Sequence, residues 1–441
     1  MKLKKHLLAL AGMSSIILPV IAVSCGNTSN KSAGVNSYIK KAERVSKITL
    51  NPQLVENAKT KKLNFTLVTD AGHVTDKSFN QSAWEALLAI YDQVENKKDF
   101  SFKSIEPAKN SYQNAYRAAI DDGTNVLILP GFTHVETISD FIKNNKKELE
   151  EKNILIIGID FDLNYEKIPE GYKNFVSLLF DVNQASWQLG YAMAGYFAEK
   201  YPNDQEKRSA TSFGGAPIPS VTDFISGWLK GIIKYNEENT SKKFKHKGKL
   251  SLNAHFEPSQ QKTDILNAIN ADSTVIYPVA GPATGGVLEE YEKNQEKYKD
   301  RLIVGVDVNQ ALAFEASRGK FLTSVEKKIA QSVYDVILGF GFENNEEKAK
   351  LQKLDTNKDK TTKKTHSLVG GHADGWVGLS SSTLTNEQDR ALMNKHINDA
   401  KTKFEGLSEE EKKLISAKKV DKSSPELSVD KLVEELVKKV S

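Results

Sequence analysis

From residue 63 onward, short β-favouring apolar runs alternate with longer amphipathic stretches, and that alternation constrains the fold more than any other feature. The β-rich runs fall at 63–69, 100–105, 125–130, 153–159, 174–180, 208–213, 249–254, 274–278 and 301–307. Helical periodicity fills the gaps, at 111–121, 133–148, 183–200, 220–235, 259–270 and 284–296. Strand, crossover helix and strand at this spacing make βαβ units, so the expected class is α/β, with parallel sheets flanked by helices. The series breaks near 180–182, where the helix at 183–200 begins. The runs before the break suffice for one sheet and those after it for a second. Residues 301–342 then close the fold, with a strand at 302–307 and a helix at 327–342 returned to the first sheet. A last strand is expected at 375–379, crossing back, and surface helices at 385–440.

In sheets of this kind the ligand crevice lies beyond the carboxyl ends of the strands. The loop after the first strand carries Asp70, His73, Asp76, Lys77, Ser78, Phe79 and Asn80. Ser78 reads as a helix N-cap, with Gln81 completing a capping box, and Trp84, Leu87, Leu88 and Tyr91 as the apolar stripe behind it. Asp70 either meets a ligand or caps the helix. Asp76 and Ser78 sit in the first turn, where a carboxylate also favours the helix dipole. Asp160 and Asp162 follow the strand at 153–159, with Asp160 the better placed. Gly281 opens GPATGG after the strand at 274–278; no Lys-Ser/Thr follows, so this is no phosphate loop, and its glycines suit close approach of backbone to ligand. Asp307 ends the strand at 301–307. Lys327, or its neighbour Lys328, opens the returning helix.

Several chemistries are excluded. The chain has no HExxH, no G-x-S-x-G and no His/Cys cluster of metal-binding spacing, and its eight histidines are scattered. We therefore expect no enzyme, no cofactor and no metal. DTNKD at 355–359 imitates the start of a calcium loop but has Lys360 where glycine is required and His366 where glutamate is required. A net charge of +4, from 61 basic and 57 acidic residues, is too small to argue for nucleic acid.

The amino terminus reads as an export signal. Lys2, Lys4 and Lys5 precede a mostly apolar run at 6–23, and the chain's one cysteine, Cys25, follows Ala22-Val23-Ser24. Small residues before a lone cysteine form a lipobox, so cleavage before Cys25 and lipid attachment to its thiol are expected. At about 0.8 kcal/mol per buried methylene, two or three acyl chains anchor stably. The polar stretch that follows is expected to be a flexible tether.

Five stretches in order carry a family resemblance: DKSFNQSAWE (76–85), GIDFD (158–162), GGAPIPSVTDFISGW (214–228), VGVDVNQ (304–310) and TSVEKKIAQSVYD (323–335). The chain resembles the basic-membrane-protein family, the nucleoside-binding lipoproteins of bacterial ABC importers, over about 62–380. The resemblance implies a two-lobed type I periplasmic-binding-protein fold with ligand in the interlobe cleft. It implies a signal peptide at 1–24, a tether at 25–61, a first lobe of 62–180 plus about 309–343, and a second of 181–308 plus about 368–406. A charged insertion at 344–367 and a helical appendage at 407–441 are added. In the cleft, Phe79 and Phe224 would sandwich the base, although Phe224 equally fits the core stripe of its helix and Phe213 competes for its role. Asn80 would hold base edge or ribose, with Asp70, Asp76, Ser78, Asp160 and Gly281 around the ligand. Asp307 would accept the ribose diol, its charge met by Lys327. The implied protein is a monomeric, lipid-anchored receptor on the outer face of the cell membrane. It delivers a purine nucleoside to an ABC permease and its ATPase. The alternatives are a sugar receptor of the ribose type and a surface adhesin on the same fold.

Overall fold

The computed structural model describes residues 35–441 apart from 71, 109–110 and 257–259. The signal peptide, Cys25 and the start of the tether lie outside the described residues. In chain order the first elements are α1 (Gln53–Thr60), β1 (Asn64–Val68), α2 (Phe79–Gln93), β2 (Ser101–Ile105), α3 (Tyr112–Asp121), β3 (Val126–Pro130), α4 (Val135–Glu151), β4 (Leu155–Ile159) and β5 (Phe175–Phe180). Then come α5 (Val182–Lys200), β6 (Ser209–Gly214), α6 (Pro219–Glu238), β7 (Lys245–His246), α7 (Lys262–Asn270), β8 (Val275–Val279), α8 (Ala283–Lys293), β9 (Leu302–Asp307), α9 (Gln310–Ala313) and β10 (Phe321–Lys327). The chain ends with α10 (Ile329–Val336), α11 (Asn345–Lys353), β11 (His366–Gly370), β12 (Val377–Leu379), α12 (Glu387–Glu405), α13 (Glu409–Ser416) and α14 (Val429–Val440).

Two six-stranded sheets result, ordered β11-β5-β4-β3-β1-β2 and β12-β10-β9-β8-β6-β7. Among the described residues, every strand pairing is parallel except that of β10 with β12. This is the two-lobed type I periplasmic-binding-protein fold. Central strands such as β3 and β4 are buried along their whole length, which is why they read as unbroken apolar runs rather than alternating ones. The chain passes between lobes at β5–α5, at β10–α10 and at β11–β12.

The lobe boundaries differ from those expected. Residues 309–327 stay in the second lobe, because Phe321–Lys327 pairs in parallel with β9 as a further strand. The return to the first lobe comes only at Lys328. The insertion at 344–367 is built into the fold: α11 packs on the turn of π-helix Ile337–Gly341, and β11 extends the first sheet beside β5. Its Asp355 is buried and accepts from Lys360, at 2.7 Å, and from His366, at 2.8 Å, so a lysine amine fills the place a cation would take. The run at 249–254 is no strand; it makes a single bridge, Ser251 to Phe213, and the sheet edge is the two-residue β7.

The tether expected through residue 61 does not hang free over its described part. Val35, Ile39, Val45, Leu54 and Ala58 are buried. Val35 bridges the edge strand β2, and Trp84 donates its indole N–H to the Ser37 carbonyl at 2.6 Å. Composition misses this because few apolar residues, spaced irregularly, find a preformed surface. The appendage is likewise docked, with Leu432, Val433, Leu436 and Val440 of α14 buried. Among the described residues no helix is long and apolar enough to cross a membrane.

Candidate functional site

Strand ends from both sheets converge on one interlobe cavity of about 810 Å3, mouth included. Asp70, Asp76, Ser78, Phe79, Asn80, Asp160, Phe224, Gly281, Asp307 and Lys327 all line it. Most were singled out from the sequence because they end a strand or open the helix that follows, and Phe224 through the family resemblance.

The first-lobe wall is organised by Asp76. Its Oδ1 accepts from the N–H groups of Ser78, at 2.8 Å, and Gln81, at 3.1 Å, while Oδ2 accepts from the Asn80 N–H at 3.0 Å. Asp76, and not Ser78, therefore caps α2; the Ser78 side chain makes no capping bond. Gln81 accepts instead from the Lys77 N–H at 3.0 Å. The Asn80 amide is aimed by two carboxylates, donating to Asp76 at 3.0 Å and to Asp70 at 3.1 Å. Asp70 in turn presses on the end of β3: a Cβ on Gly131 would stand 2.1 Å from Asp70 Oδ2, and Gly131 has φ of +104°. Only glycine fits there.

The two lobes repeat one device at their centres. Gly158-Ile159-Asp160 ends β4 and Gly305-Val306-Asp307 ends β9, the third strand in each sheet order. Asp160 has φ of +64° and Asp307 of +65°, left-handed conformations that aspartate tolerates better than most residues. Lys327, at the end of β10, lies between them. Its Nζ donates to Asp160 Oδ2 at 2.5 Å and to the Ser220 carbonyl at 3.3 Å, and stands 4.0 Å from Asp307 Oδ1. The expected partnership of Lys327 with Asp307 thus holds only loosely, because Asp160 reaches the amine first from the opposite lobe. The amine also lies 4.8 Å from the ring centre of Phe224 and 5.8 Å from that of Phe79.

Burial dominates the electrostatics. It pushes the Asp307 carboxyl up to about 6; Lys327 pulls it back and the neighbouring Asp160 and Asp76 push it further. Burial also raises Asp160, against the pull of Lys327, and raises Asp76, against the hydrogen bonds it accepts. Among the described residues, four carboxylates share the cavity wall with one ammonium, and that ammonium is already engaged. Such a wall repels phosphate and suits a ligand that donates hydrogen bonds.

Phe79 is half-buried at the mouth of α2, whereas Phe224 is buried and faces the cavity from α6. Phe213 is not part of the wall; it lies in the second lobe's core with Ile276 and Val287. Asp162 is turned away, accepting from Tyr165 at 2.9 Å and Ser367 at 2.5 Å. His73 is exposed beside Glu106. Lys328 points to Glu326 and leaves the site to Lys327. Sequence reasoning missed Phe132 and Phe256, whose rings meet across the cleft at 5.8 Å. Phe132 follows a strand end and obeys the rule that found Asp70; Phe256 follows irregular chain and carries no such signal.

A family model described as "ABC transporter substrate-binding protein PnrA-like" (Bmp) matches residues 65–395. The ABC transporter nucleoside-binding protein BmpA of Lactococcus lactis subsp. cremoris is 24% identical over 345 residues, which are 76% of this chain and 84% of that protein. A lipoprotein of Mycoplasma pneumoniae, the MG040 homolog, is 23% identical over 328 residues, 55% of this chain and 50% of that protein. Among solved structures, a solute-binding protein of an ABC transporter system from Aeropyrum pernix K1 has a TM-score of 0.56 at 17% identity, covering 85% of this chain and 91% of that one. A transcriptional activator of the comK gene from Bacillus halodurans has a TM-score of 0.52 at 14% identity, covering 78% of this chain and 98% of that one. At these identities the structural likenesses show the fold alone.

Proposed function

Because this chain belongs to the Bmp family of PnrA-like ABC transporter substrate-binding proteins, we propose that its ligand is a nucleoside, a purine nucleoside in particular, held between the lobes and passed to the importer. Proteins of this family bind substrate for a permease and its ATPase and are not enzymes. The observation that carries the nucleoside reading is the pairing, in one cavity, of an aromatic ring from each lobe with a carboxylate from each lobe. Phe79 and Phe224 offer faces to a flat base. Asp307 faces the cleft from its strand end, where a carboxylate can accept from both hydroxyls of a vicinal diol. Asp160 holds Lys327 in place beside it. Asn80, whose two amide hydrogens go to Asp70 and Asp76, has its amide oxygen to offer the base edge or ribose, and the backbone at Gly281 allows close approach. The relative from Lactococcus lactis is named for nucleoside binding, which supports the same reading.

On this reading the mature chain is a monomer anchored through a lipid on Cys25 at the outer face of the membrane. Mass spectrometry of small molecules released from protein purified without added nucleoside tests the ligand. A purine nucleoside is expected; a free pentose in its place would transfer the site to the sugar reading.

A further inference from the structure

One rim of the cleft carries contacts between the lobes that lie outside the cavity. Lys77 adopts a left-handed backbone, φ +54°, with its N–H donating to Gln81. Its side chain crosses to the second lobe, where Nζ donates to the Ala313 carbonyl at 3.0 Å and lies 5.9 Å from the ring centre of Phe314. Beside it, Val45 forms a small buried cluster with Val308 and Ala313, backed by Phe314. Val45 is fixed to the first lobe. The buried carboxylate of Glu85 accepts from the N–H groups of Val45, at 2.8 Å, and Ser46, at 2.7 Å, and the Ser46 and Ser82 hydroxyls are 2.9 Å apart. The gripped segment, 308–314, which includes α9, begins at the residue after Asp307.

We propose that Lys77 and Val45 form a latch on the 308–314 segment that sets how firmly the lobes close, so that both residues govern ligand affinity without touching ligand. The proposal rests on the reading that ligand is held by lobe closure. The latch contacts join the two lobes, so separating the lobes at this rim breaks them, and their free energy then adds to closure. The same contacts hold the backbone that carries Asp307, which places the proposed diol carboxylate against the first lobe. The amino-terminal segment is then a working part of the receptor and not only a spacer.

The test compares wild type, Lys77→Met, Val45→Asn and the double variant by stopped-flow dissociation of a purine nucleoside. Lys77→Met keeps the aliphatic stem of an exposed side chain and deletes only the amine. We expect each single variant to dissociate about tenfold faster, the worth of one charged hydrogen bond or one small apolar contact, and the double variant faster still. The thermal midpoint of nucleoside-free Lys77→Met should match wild type. Unchanged dissociation in Lys77→Met and in the double variant overturns the latch. If wild type takes up no nucleoside, the functional reading falls by itself. The latch is then judged by single-molecule energy transfer between dyes on the two lobes: a lower closed fraction in the double variant supports it, and an equal fraction overturns it.

Discussion

Asp307→Asn should make the ligand-free protein more stable, and only at the pH where the carboxylate is charged. Burial holds the folded-state carboxyl at about 6 against an ordinary 3.8. Below about pH 4 the group is protonated in folded and unfolded chains alike, and its stabilising contribution is fully present. Between about 4 and 6 the unfolded chain loses the proton while the folded chain keeps it, so stability falls as pH rises. Above about 6 both are ionised, and the loss reaches on the order of 3 kcal/mol at about 1.4 kcal/mol per tenfold. Asparagine is nearly isosteric and tolerates the left-handed backbone at φ +65°, so it removes the buried charge without adding strain. Thermal midpoints of nucleoside-free wild type and variant, taken from pH 4 to 8, check this. The variant's advantage should be small at pH 4, grow through pH 5–6 and level off above 7. A variant less stable than wild type at pH 8, or an advantage independent of pH, would refute the reasoning. A gain in stability with a loss of binding is the signature of a charge kept for function.

Other expectations follow from the same geometry. Phe79→Ala should weaken purine nucleoside binding at least tenfold in calorimetry, since a stacked ring contributes about 0.5–1.5 kcal/mol beyond its buried area; half-buried Phe79 should cost the ligand-free protein little stability, and a large loss would make it a packing residue. Asp307→Asn should cut affinity for a ribonucleoside far more than for its 2′,3′-dideoxy counterpart, which offers that group no hydroxyl; equal losses in parallel titrations would make Asp307 a structural residue. Cys25→Ser should abolish lipid labelling and release the chain from the detergent phase, and a variant still processed and labelled would remove the anchor from the account.

The candidate site was legible because it obeys a topological rule. Asp70, Asp160 and Asp307 each stand within two residues of the end of a strand whose apolar run is unmistakable, and Phe79, Asn80 and Phe224 each lie in the first turns of the following helix. Contacts set by tertiary approach were not legible. Nothing in sequence spacing says that Lys327 reaches Asp160 before Asp307, because the choice depends on how two lobes meet. The cap of α2 was misread for a related reason: Ser78 fits the pattern, but the loop places the longer-reaching carboxylate of Asp76 over three free N–H groups. Strand β10 was hidden because Phe321–Lys327 ends in charged residues and runs straight into a helix. The docking of 35–61 was hidden because its few buried residues have no period of their own.

The most direct test of the account is a calorimetric titration of the chain, stripped of ligand by unfolding and refolding, with a purine nucleoside and with D-ribose. The account predicts saturable binding of the nucleoside at one site per chain and none of ribose. Saturable binding of ribose with no response to the nucleoside would contradict it.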